Sequence, residues 1–114
     1  MDGAGRLMAA TRRALRHALR DWGTLEPLLA GERLLLLLDY DGTLTPIAAR
    51  PELARLPAAG RRLLKNLSRA PRTRVGIVSG RSLNVVRRLV GLRGLTYVGN
   101  HGFEIQGPGL RFVH

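Results

Sequence analysis

The chain reads as an α/β domain: a partial parallel sheet of three strands with flanking helices, followed by a β-hairpin. Three observations predict this. Residues 34–38 are five consecutive leucines, a short apolar run of the kind that forms a strand buried on both faces. Two further strand-like segments alternate with amphipathic helical stretches, an order that calls for right-handed crossovers and parallel strands. Finally, Gly107-Pro108-Gly109 separates two short segments of strand character and predicts a hairpin.

The elements follow in chain order. Leu7, Ala10, Ala14, Leu15, Ala18, Leu19 and Trp22 recur at helical spacing with arginines between them, so residues 6–22 are expected to form an amphipathic helix. An Arg-rich start also has the composition of a transit peptide, but Asp2 and Asp21 favour a helix that docks on the domain. Gly23 and the Glu26-Pro27 step are read as its end. Residues 1–30 are therefore expected to be an N-terminal helix and linker, and residues 31–114 the core. After the leucine strand, Pro46, Pro51 and Pro57 punctuate a loop, and Pro57 suits the first turn of a helix. That helix carries Leu63, Leu64 and Leu67 on one side, Arg61, Arg62 and Lys65 near the other, and stops before Pro71. Residues 74–78 form the second strand. Ser82 can cap a helix bearing Leu83, Val86, Leu89 and Val90, with Gly91 at its stop. Residues 95–98 form the third strand, and residues 103–105 and 110–113 the arms of the hairpin. The result is a Rossmann-like partial sheet whose three strand-end loops, all polar and glycine-bearing, share one edge.

Composition narrows the function. The chain of 114 residues has room for one domain, with 45% hydrophobic but only 4% aromatic residues. It has no cysteine, which excludes disulfides and Cys-based zinc sites. That fits a reducing compartment, and a cytoplasmic location is expected. No apolar run approaches the roughly 20 residues of a membrane span, and no apolar core of a signal peptide follows the basic start. The net charge of +11 is carried almost wholly by arginine, Lys65 being the only lysine. No basic cluster is interleaved with aromatics, so a nucleic-acid partner is not expected. The arginines are read as a solvated surface, some of them facing an anionic substrate.

The chemistry lies at the strand ends. Asp39-Tyr40-Asp41-Gly42-Thr43-Leu44 follows the leucine run directly, and ligands of open α/β sheets sit beyond the carboxyl ends of strands. One carboxylate can attack phosphorus, and a second can protonate the leaving oxygen and then deprotonate water. Gly42 permits a sharp exit and Thr43 can orient the loop. Oxygen ligands of this kind suit Mg²⁺. Ser79 and Gly80 end the second strand, where a hydroxyl and free N–H groups can hold a phosphoryl oxygen, and Arg81 could clamp the same anion. Asn100 and His101 follow the third strand between two glycines and can donate to a sugar hydroxyl or a phosphate. Glu104 could accept from a sugar hydroxyl. His17 and His114 have no companions at metal-ligand spacing.

These strings resemble the haloacid dehalogenase superfamily of aspartate-nucleophile phosphatases and, within it, the trehalose-6-phosphate phosphatase family. The first belongs to the superfamily at large. Residues 97–105, from Tyr97 to Ile105, with the glycine-proline-glycine turn after them, resemble the narrower family. The resemblance implies a Mg²⁺-dependent phosphatase acting on trehalose 6-phosphate through an aspartyl-phosphate intermediate. Asp39 would be nucleophile and metal ligand, and Asp41 the acid/base and a ligand through its backbone carbonyl. Thr43, Ser79, Gly80, Arg81, Asn100, His101 and Glu104 would serve substrate binding. The family also has a cap domain, a phosphate-binding lysine and a later acidic pair. Lys65 comes too early to be that lysine, so residues 31–114 are expected to be a truncated haloacid dehalogenase-type core and the chain an amino-terminal piece. The alternatives are a phosphatase of another sugar phosphate and a non-catalytic basic binding module. The sequence leaves the oligomeric state open.

Overall fold

The computed structural model describes residues 17–114, which fall into two compact units divided after Glu32. The first contains helix α1, Trp22–Leu29, entered through a turn in which the Asp21 N–H donates to the His17 carbonyl at 2.9 Å. Most of the helix expected over residues 6–22 lies outside the described residues. Where the sequence reading placed a break at Gly23 and Pro27, both residues are inside α1. Pro27 removes only the N–H that would have bonded Gly23. No residue of α1 is buried, so water can take up that carbonyl.

The second unit is a five-stranded sheet in the order β1-β2-β3-β4-β5: Leu34–Asp39, Thr73–Val78, Thr96–Gly99, Glu104–Gly107 and Leu110–Val113. The first three strands are parallel, and the last two add antiparallel as a hairpin. Two helices make the crossovers, α2 (Ala58–Arg69) between β1 and β2 and α3 (Leu83–Val90) between β2 and β3. Successive right-handed crossovers in one direction put both helices on the same face. There the core forms from Tyr40, Leu56, Leu64, Val75, Ile77, Leu83, Val86, Val90, Leu95 and Tyr97. Ser82 caps α3 by accepting from the Val85 N–H at 3.4 Å, and Gly91 ends it at φ +64°, the left-handed position that glycine takes without strain.

Pairing in register shows what the opposite face carries. Asp39 pairs with Val78, Val78 with Val98, Val98 with Ile105 and Ile105 with Phe112. Leu35 and Leu37, at the same parity as Asp39, share that face and are each 60% exposed. Gly76 gives Leu37 its place: a Cβ there would stand 2.7 Å from Leu37 Cδ2. The expectation of a first strand buried on both faces is thus corrected. β1 is an edge strand, half-buried at Leu34, Leu36 and Leu38 and exposed between them, because the helices cover one side only.

α2 also differs from its sequence reading. Leu64 is buried but Leu63, one residue and about 100° away, is 59% exposed. Arg61 turns inward instead, donating from Nη1 to the Val90 carbonyl and from Nη2 to that of Leu89 at 3.3 Å. It thereby satisfies carbonyls that the end of α3 leaves without partners.

Candidate active site

Parallel register brings the ends of β1, β2 and β3 to one rim, with the residues after Asp39, Val78 and Gly99 side by side. Beyond Asp39 the chain reverses around a single acceptor. The Tyr40 carbonyl takes the N–H groups of Thr43, Leu44 and Thr45 at 3.4, 3.0 and 3.2 Å, and the buried Thr45 hydroxyl at 3.3 Å. Gly42 makes the reversal possible at φ +77°. This turn holds Thr43 so that its Oγ1 donates to Asp39 Oδ2 at 3.2 Å. Asp39 is exposed at the rim, with Oδ1 left open among the described residues.

Asp41 and Arg81 meet across the rim. Arg81 donates from Nε to Asp41 Oδ2 at 3.0 Å and from Nη2 to Oδ1 at 2.7 Å, the parallel fork that fits a carboxylate. The guanidinium also lies over the Tyr40 ring, 5.8 Å from its centroid. The hydrogen bonds from Arg81 hold the Asp41 carboxyl below the usual carboxylate range, and those to Asp41 raise Arg81. Burial pushes the Tyr40 phenol up, and its O–H donates to the Ala54 carbonyl at 2.8 Å, fastening the loop after the motif. Sequence reasoning aimed Arg81 at a substrate anion and missed Tyr40, whose only signal was its place between the two aspartates.

Ser79 is buried and accepts the Arg81 N–H on its Oγ at 3.0 Å, while its own N–H reaches the Val98 carbonyl at 2.8 Å. Its backbone N–H is therefore committed to the sheet, leaving the hydroxyl as the donor for a ligand. Gly80 faces His101: a Cβ at position 80 would come 2.6 Å from His101 Cε1. Asn100 and His101 adopt left-handed backbone at φ 49° and 55°, a conformation that Asn and His tolerate better than most residues. The Asn100 N–H is tied to the Arg81 carbonyl at 2.6 Å. Glu104 lies one strand further out, paired in register with Gly99 and Val113. The structure thus gathers Asp39 with Thr43, Asp41 with Ser79 and Arg81, and Gly80 with His101, while Glu104 joins them only through the sheet. Asp41, Gly42, Gly80 and Arg81 line one hollow of about 410 Å³ with Ile47, Ala48 and Ala54.

Among the described residues no three His, Cys, Asp or Glu side chains converge as a metal cage. The rim instead presents the exposed Asp39 carboxylate, with the Asp41 carboxylate taken up by Arg81. This oxygen set fits a hard cation such as Mg²⁺, which keeps several waters and takes one or two carboxylates plus phosphate oxygens. No helix among the described residues is long and apolar enough to cross a membrane.

Comparison with known proteins points the same way. The family model described as trehalose-phosphatase matches residues 37–111. The probable trehalose-phosphate phosphatase D of Arabidopsis thaliana is 43% identical over 84 residues, covering 74% of this chain and 22% of that protein. Among solved structures, trehalose-6-phosphate phosphatase of Aspergillus fumigatus superposes with a TM-score of 0.63 at 37% identity, over 68% of this chain and 29% of that one. The C-terminal domain of the C. albicans enzyme gives a TM-score of 0.63 at 35% identity, over 66% and 26%. The chain spans about a fifth of the length of the curated relatives it matches. With the matched segment running from the leucine strand into the second arm of the hairpin, the chain belongs to the trehalose-phosphatase family.

Proposed function

We propose that this chain carries the nucleophile half of a Mg²⁺-dependent phosphatase that hydrolyses trehalose 6-phosphate, working in the cytoplasm. The observation that carries the reading is the exposed Asp39 at the carboxyl end of β1. It is oriented by Thr43 and shares its rim with Ser79, Arg81 and His101.

In the first half-reaction Asp39 Oδ1 attacks phosphorus, the bond from phosphorus to the sugar oxygen breaks, and that oxygen takes a proton from the Asp41 carboxyl. In the second, water attacks the same phosphorus, its proton passes to the Asp41 carboxylate, and the bond to Asp39 breaks to release phosphate. Thr43, by donating to Oδ2, directs the other oxygen outward. Arg81 holds Asp41 ionised, the form required of the base. A phosphoryl group seated at the Ser79 hydroxyl competes for that guanidinium, so that Asp41 takes up a proton from solvent, gives it to the leaving oxygen and regains one from the attacking water. Asn100, His101 and Glu104 are assigned to the sugar side. Mg²⁺, held by the Asp39 carboxylate and the Asp41 backbone carbonyl, would screen the repulsion between carboxylate and phosphate.

The test is a chimaera in which residues 37–111 replace the matching segment of the Aspergillus fumigatus phosphatase. Phosphate release from trehalose 6-phosphate is expected, with a marked preference over glucose 6-phosphate and sucrose 6-phosphate. A folded chimaera without turnover would refute the assignment, and equal rates on all three substrates would refute the sugar specificity.

A further inference from the structure

A second basic feature lies at the other end of the sheet. The three parallel strands carry the rim residues at their carboxyl ends. At the amino end of β3 a groove of about 560 Å³ opens between the end of α3 and the end of β4. The length of β3 separates the two, roughly 10 Å for four residues. Arg87, Arg88 and Arg93 all line the groove, with the amides of Asn84 and Gln106 and no carboxylate. None of the three takes part in an ion pair among the described residues.

The ordinary explanation for arginines in a last helical turn is that they offset the negative end of the helix. Here Arg61, reaching over from α2, already does so. It donates to the Leu89 and Val90 carbonyls, and the Gly91 N–H takes that of Arg87. The three groove arginines are therefore not needed for those caps, and three of the four last carbonyls of α3, those of Arg87, Leu89 and Val90, are already engaged. The groove is also pre-shaped. Tyr97 pins its wall, its hydroxyl accepting the Leu92 N–H at 3.3 Å and donating to the Leu92 carbonyl. Gly94, at φ +81° with no atom within 4 Å of where a Cβ would stand, leaves the mouth open. Burial raises the Tyr97 phenol, and Arg87 is among the charges opposing that rise, so its field reaches the groove wall.

We propose that this groove is a second anion site, distinct from the catalytic rim, and that its ligand is a small molecule bearing two or more linked phosphates. Three guanidiniums present more positive charge than one orthophosphate can match, and each is shaped to grip phosphate oxygens in pairs. The volume falls within the range of small-molecule pockets.

Calorimetric titration of the 114-residue chain with inorganic pyrophosphate, tripolyphosphate and orthophosphate tests this. Pyrophosphate and tripolyphosphate should bind more tightly than orthophosphate. Affinity should fall about tenfold for each guanidinium removed in Arg87→Ala and Arg93→Ala, and Arg88→Glu should abolish binding. All three side chains are solvent-exposed, so folding survives these changes. NMR shift changes on adding pyrophosphate should centre on Arg87, Arg88 and Arg93; changes confined to Ser79 and Arg81 would put the anion at the catalytic rim and overturn the second site. Equal losses in Arg69→Ala, on the outside of α2, would overturn the site as mere surface charge. Orthophosphate binding as tightly as pyrophosphate would overturn the ligand class. Preferential binding of a single-stranded oligonucleotide would replace the small ligand with a nucleic acid.

Discussion

Gly99→Ala should damage the protein out of proportion to one added methyl group. A Cβ at position 99 would lie 2.5 Å from the Leu83 backbone nitrogen and 2.6 Å from its Cα. The first distance is about 0.9 Å short of ordinary contact, and both opposing atoms are main chain at the start of α3. No rotamer change relieves the clash. The two segments are also laced together, the Asn100 N–H on the Arg81 carbonyl at 2.6 Å and the Ser79 N–H on the Val98 carbonyl at 2.8 Å. Separating them stretches these bonds. The expected cost is at the upper end of the roughly 1–3 kcal/mol typical of overpacking, a large share of the stability of a domain this small. Urea denaturation followed by circular dichroism should show the midpoint lowered by about 1.5 M for a slope near 2 kcal/mol/M. An unchanged midpoint would refute the claim that β3 and α3 touch backbone to backbone.

Gly80→Ala poses the opposite case. Its close neighbour is the exposed His101 ring, which can swing away, so stability should change by less than about 1 kcal/mol while the His101 ring resonances move; unmoved resonances would contradict the contact. Arg81→Ala should let the Asp41 carboxyl titrate higher, followed by ¹³C NMR. A depressed folded-state value means that the pair stabilises above the ordinary aspartate range and that this stabilisation is lost as pH falls through the depressed value. The deficit of the variant should therefore be level at neutral pH, begin to shrink below about pH 4 and vanish once pH is below the depressed value. With the Asp41 side chain 49% exposed, it should amount to about 0.2–1 kcal/mol, and an Asp41 titration unaffected by the substitution would contradict the pair. Leu35→Lys with Leu37→Thr should reduce self-association in sedimentation velocity, because the open edge of β1 and its apolar face invite pairing; unchanged association would show that this face is not the sticky one.

Local signals were legible in the sequence where one residue does one job. Ser82 and Gly91 bound α3 as capping chemistry requires, and Gly107-Pro108-Gly109 turns the hairpin. The alternation of strands and helices gave the parallel order and placed Asp39, Ser79 and Asn100 at one rim. Features that depend on two distant side chains were not legible. Nothing in the spacing says that Arg81 grips Asp41 rather than solvent, that Gly80 makes room for His101, or that Arg61 turns inward to cap α3 while Leu63 turns out. The leucine run misled for a related reason. Apolar composition says that a strand can be buried on both faces, but only the layout of the helices decides whether both are covered. α1 shows the limit of breaker residues, since Gly23 and Pro27 sit within a helix that has no buried residue, where water can take up the missing bond.

Whether the residue at the end of β1 forms a bond to phosphorus is the central question. Acid quenching of the chimaera during turnover of trehalose 6-phosphate, then borohydride reduction and peptide mass mapping, reads that bond directly. The reduced product is expected at Asp39 and nowhere else, and it should disappear together with turnover in Asp39→Asn. Labelling at another residue, or phosphate release that survives Asp39→Asn, would contradict the account.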